Sequence, residues 1–191
     1  MCHAGGMAVP TNEELAAADG RTIPNVVARR LLVLFVGINP GRYSGAVGHH
    51  FARPGNRFWK ALHVGGFTDR VWEPGRDAEL VSIGLGVTNL VARTTRAASD
   101  LTPEELRAGA VRLEGVVARN RPTAVAILGI GAFRAAFGRP RAALGAQPEG
   151  LAGSLLWVLP NPSGLNAHHQ LDDLAARFAE LRAAALRAQR G

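Results

Sequence analysis

The chain has 191 residues, 47% of them hydrophobic and 19% charged, with a formal net charge of +7. That length suits one α/β domain with a full core and is short for two, and the positive balance suits a polyanionic partner, although arginine-rich, lysine-poor composition also arises from coding bias. A single cysteine, Cys2, excludes an internal disulfide and thiolate-rich zinc or iron–sulfur centres, while the lack of a membrane-length apolar run or a secretory layout leads us to expect an intracellular, cytoplasmic protein with no membrane role.

Residues 1–21 are read as a flexible N-terminal extension and assigned no structure, with 22–189 forming one domain. The run LLVLFV, residues 31–36, ends at Gly37 as a buried parallel strand does. The loop of residues 37–55 follows, and its glycines and prolines argue against regular structure. Asn56–His63 reads as a helix closed by Gly65 and Gly66, and Gly86–Val91 as a second strand. Thr102, Pro103 and Glu105 form a helix start with a reciprocal capping pair, after which Leu106, Ala110, Leu113 and Val117 fall on one face. That helix must stop before Pro122. Thr123–Leu128 is a third strand leading into a helix around Ala132–Phe137, and Leu155–Leu159 is a fourth. The last helix spaces Leu171, Leu174, Phe178 and Leu181 on one face, with Asp172 and Asp173 at its positive end. Strands alternating with helices predict an α/β fold: a central parallel four-stranded sheet with helices on both faces and ligands bound beyond the carboxyl ends of its strands.

Two loops at that edge are rich in chemistry. GINPG, residues 37–41, sets Asn39 between glycines and before a proline, giving a rigid turn with exposed N–H groups and a projecting amide; a purely structural turn reads the same way. NPSGLN, residues 161–166, carries Leu165 among polar neighbours, either an incidental surface leucine or a wedge that fills the space left by an extruded base. The pairs His49–His50 and His168–His169 are not read as a metal site, because adjacent side chains on extended backbone diverge. GIGAFR, residues 129–134, starts like a dinucleotide fingerprint but fails at Arg134, where the third glycine would stand.

Five motifs in order carry a resemblance: GINPG at 37–41, GHHF at 48–51, PGNRFWK at 54–60, GVTNLVARTT at 86–95 and LPNPSGLN at 159–166. Together with TIPNVV at 22–27, they make the chain, over about Thr22 to Leu186, resemble the mismatch-specific uracil/thymine DNA glycosylases of the uracil-DNA glycosylase superfamily. The resemblance implies a monofunctional, monomeric base-excision-repair enzyme that hydrolyses the N-glycosidic bond of uracil, of related damaged pyrimidines and weakly of thymine, in double-stranded DNA with G:U or damaged-pyrimidine mismatches. No cofactor and no metal are implied. Asn39 matches the water-positioning asparagine. An amide has no useful basicity, so it orients water without taking its proton, and the departing pyrimidine anion must be stabilised by N–H groups near Ile38 and Phe51. Phe51 matches the platform for the flipped base, and Ser44, His50 and Asn89 complete the pocket; Asn89 is a lysine in some relatives. Asn161, Ser163, Gly164, Leu165 and Asn166 match the wedge and guanine-reading loop, followed here by AHHQ where the bacterial branch tends to carry a basic residue. Arg42, Arg53, Arg57 and Lys60 are candidate phosphate contacts. The rival reading from another class is a non-catalytic DNA-lesion binding protein on the same fold, which would have no need of Asn39.

Overall fold

The computed structural model describes residues 9–164 and 169–190. Four parallel strands form its centre: β1 (Val33–Gly37), β2 (Leu85–Asn89), β3 (Ala124–Leu128) and β5 (Leu155–Leu159), in the order β2-β1-β3-β5. The two-residue strand β4 (Gly145–Ala146) adds antiparallel to β5. The sheet is therefore mixed and five-stranded, where sequence reading expects four parallel strands; two residues are too few for a periodic signal.

Alternation along each strand divides the core between the two faces. Val33, Phe35, Ala124 and Ala126 face α3 (Phe58–Val64) and α6 (Leu171–Arg190), whereas Leu34, Val36, Val125 and Ile127 face α4 (Pro103–Asn120) and α5 (Ile130–Phe137). The alanines of β3 leave room on the first face for an aromatic cluster, in which Phe35 stacks on Phe178 at 5.4 Å and meets Phe58 edge-on at 5.4 Å. On the second face α4 begins as its capping box dictates: Thr102 Oγ1 accepts the Glu105 N–H, and Glu105 Oε2 accepts the Thr102 N–H at 2.8 Å. It ends at Asn120, with Arg121 left-handed ahead of Pro122.

Two helices lie where sequence reading expects none. Within 37–55 the structure forms α2 (Arg42–Val47), closed by Gly48 in the left-handed conformation. Gly45 permits it, because a Cβ there would overlap the side chain of the buried Thr94. Before the first strand, α1 (Asn12–Ala17) starts at a second capping box, Thr11 with Glu14, and packs on α2. Residues 20 and 21 then tie to Thr94 through Gly20 N–H to Thr94 O at 2.9 Å and Thr94 N–H to Arg21 O at 2.7 Å.

Candidate active site

The carboxyl ends of β1, β2, β3 and β5 converge on a cleft of about 290 Å³. Ile38, Asn39, Ser44, His50, Phe51, Asn89, Asn161 and Ser163 all line it, so residues from four separate motifs meet at one place. Leu165 and Asn166 lie outside the described residues.

Asn39 follows the end of β1 and is held from behind. Its amide nitrogen donates to Arg93 O at 3.1 Å and to Thr95 Oγ1 at 2.7 Å. The Thr95 hydroxyl spends its own proton on Ala97 O, also at 2.7 Å, so it can only accept from Asn39. These partners dictate which way the carboxamide faces: the nitrogen points to the 93–97 loop and Oδ1 is left for the cleft, where no described residue donates to it. Arg93 is anchored in turn by Glu105, with Nε–Oε1 at 2.5 Å and Nη2–Oε2 at 2.9 Å. The guanidinium holds the Glu105 carboxyl down to a pKa of about 2, assisted by the Thr102 N–H. The capping box of α4 and the orientation of Asn39 thus share one chain of hydrogen bonds.

The opposite wall is the GHHF turn, gripped by Asp77 from the 3₁₀ segment Pro74–Ile83. Asp77 is buried, and its carboxylate accepts the His50 N–H at 2.8 Å and bonds His49 Nδ1 at 3.0 Å. His50 Nε2 lies 2.9 Å from Pro24 O. A carbonyl only accepts, so Nε2 carries the proton, and burial pushes the His50 pKa below its usual value, favouring the neutral ring. Phe51 is forced into the left-handed region at φ 52°, which turns its ring onto Phe58 at a centroid distance of 4.1 Å. Ser44 Oγ accepts the Ala52 N–H at 3.1 Å and closes the turn. Neither the Ile38 nor the Phe51 N–H is taken by another described residue, so both remain available to an anion.

The floor lies between β1 and β2, where Gly37 pairs in register with Asn89. A Cβ at Gly37 would overlap Asn89 Oδ1 and come within 3.4 Å of Phe51 Cζ, so glycine is what lets the amide and the ring approach each other. The Asn89 side chain is largely buried and bonds to no described residue, which leaves its carboxamide for a ligand.

The model of the Uracil DNA glycosylase superfamily matches residues 24–185, most of the chain and every wall of the cleft. The chain belongs to the uracil DNA glycosylase superfamily. Its fold is also similar to the solution NMR structure of a candidate uracil DNA glycosylase from Methanosarcina acetivorans, with a TM-score of 0.55 and 20% identity over 85% of this chain and 98% of that one. Membership in the uracil DNA glycosylase superfamily implies hydrolysis of N-glycosyl bonds between base and sugar, with DNA as the partner.

The cations of this superfamily member divide in a way their sequence positions conceal. Arg42 is turned aside by a paired contact with Asp19, its Nε at 2.8 Å, and Arg57 bonds backbone carbonyls of the β5 loop. Both thus have partners within the protein. Arg53 and Lys60 stay exposed and unpaired among the described residues, as does Arg96 beside the cleft. Sequence reading missed Arg96, Thr95 and Asp77. Thr95 lies inside the GVTNLVARTT motif, but Asp77 carries no local signal, since its partners are 27 and 28 residues away.

Proposed function

We propose that the protein is a monofunctional, mismatch-specific uracil-DNA glycosylase that removes uracil, and thymine weakly, from duplex DNA opposite guanine, acting as a monomer in base excision repair. The orientation of Asn39 carries the reading: an amide whose nitrogen is committed to Arg93 O and Thr95 presents an acceptor oxygen to one proton of a water. The target nucleotide swings out of the duplex into the cleft, where Phe51 offers a face for stacking and Asn89 a donor–acceptor pair for the pyrimidine edge. The C1′–N1 bond breaks with both electrons leaving on the base, and the Ile38 and Phe51 N–H groups stabilise the resulting anion. The water oxygen then bonds to C1′, its surplus proton passes to solvent, and the anion is protonated. His50, neutral and acting as donor to Pro24, adds no charge to this balance. Leu165 and Asn166, with Gly164, fill the gap in the duplex and read the widowed guanine.

Single-turnover excision from a uracil–guanine duplex in EDTA, revealed by hot alkali, tests the proposal. Wild-type protein should cleave the strand, and Asn39→Ala should lose at least about 100-fold in rate while still binding the mismatch. An uncut strand with wild-type protein would leave a lesion-binding protein, and near-normal excision by Asn39→Ala would remove the water-positioning role.

A further inference from the structure

Arg57 stands at the start of α3, between the aromatic platform and the loop after β5. Its Nη1 donates to His169 O at 2.5 Å and its Nη2 to Ser163 O at 2.7 Å, so one guanidinium bridges carbonyls on either side of residues 164–168. Its backbone N–H donates to Pro162 O at 2.9 Å. The neighbouring turn packs just as closely, since a Cβ on Gly164 would lie 2.6 Å from Gly55 O. Residue 58, next in the chain, is the phenylalanine stacked under Phe51, and its N–H is capped by Asn56 Oδ1 at 2.9 Å. The far end of the loop is held as well, by His169 Nδ1 against Asp173 in the first turn of α6 at 2.5 Å.

We propose that Arg57 is a positioning residue that locks the ends of the β5 loop to the helix whose Phe58 supports the base platform Phe51, so that the extruded base and the gap it leaves are gripped in fixed relation. Its consequence for DNA rests on the glycosylase reading above; the clamp itself does not. A planar fork with parallel donors can span two carbonyls, whereas an ammonium group satisfies them poorly at this separation. A phosphate-binding cation behaves in the opposite way: lysine replaces it well, and its loss weakens binding to any duplex and flattens the salt dependence.

The test uses Arg57→Met and Arg57→Lys in the full chain. Residue-resolved hydrogen exchange, which needs no DNA, should show the amides of residue 57 and Ser163 exchanging about tenfold or more faster in both variants while the amides of 124–128 are unchanged. On DNA, both variants should lose about tenfold or more in affinity for a duplex with an abasic site opposite guanine, less than about threefold for an intact duplex, and nothing in salt slope. Unchanged exchange at residue 57 and Ser163 would overturn the clamp. Equal losses on both duplexes, a salt slope lowered by about 0.9, or rescue by lysine would assign Arg57 to a phosphate instead. If wild-type protein excises no uracil, the glycosylase reading falls while the exchange result still decides the clamp.

Discussion

Thr95 is the residue through which the orientation of Asn39 can be altered without touching the reacting groups. It is 4% exposed, and its hydroxyl accepts from Asn39 Nδ2 and donates to Ala97 O, each at 2.7 Å. Thr95→Val keeps the volume and branching but leaves the Asn39 N–H with Arg93 O as its better remaining partner, the contact to Pro40 O being longer at 3.2 Å. A hydrogen bond of this kind contributes about 0.5–1.5 kcal/mol net, and because Ala97 is exposed its carbonyl can turn to water, so the loss falls on the Asn39 contact. If the lost bond appears in the transition state, single-turnover excision falls about 2- to 12-fold, since each 1.36 kcal/mol is about tenfold. Thr95→Ser retains the hydroxyl and should stay near wild type. The decisive measurement is a double-mutant cycle at saturating enzyme on a uracil–guanine duplex: with Asn39→Ala already in place, Thr95→Val has no amide left to misplace and should cost nothing further. Full activity in Thr95→Val, or losses that simply multiply in the double mutant, would refute the argument.

Uracil opposite guanine should be excised faster than thymine by an amount consistent with about 1–3 kcal/mol from shape, with an electronic contribution in the same direction because the methyl group makes the departing anion less stable and Asn39 provides no general base. Equal rates on matched duplexes would show the pocket reading to be wrong. Leu165→Ala should weaken retention on the abasic product more than binding to intact duplex, because a wedge acts only when a base is out; dissociation rates on the two duplexes measure this, and equal losses refute it. The Arg93–Glu105 pair sets a pH dependence: the folded chain lowers the Glu105 pKa from 4.5 to about 2, so its contribution to stability is complete above 4.5 and is lost as pH falls toward 2. Thermal melts across that range should fall more steeply for wild type than for Glu105→Gln, and parallel slopes would contradict the assignment.

What the sequence by itself determined is what short-range physics controls. The four long strands are legible as short, mainly apolar runs, most clearly β1 and β3, which are buried on both faces and carry no polar side chain, whereas β2 ends in the buried Thr88 and Asn89 and β5 exposes Leu155. The start of α4 is legible because Thr102 and Glu105 satisfy each other's backbone three residues apart. The motif order led to the cleft, and Asn39, Phe51 and Asn89 do meet there. Only the tertiary structure decided the roles that depend on partners far away in the chain. The turns of 37–55 conceal α2, where the close approach of Thr94 requires glycine at 45; Asp77 matters because the GHHF turn reaches it; and Arg57 differs from Arg53 only in where Ser163 and His169 place their carbonyls. A guanidinium looks the same in sequence whether it faces solvent or a buried carbonyl, and the choice rests on contacts closed over 106 and 112 residues, which local patterning does not encode.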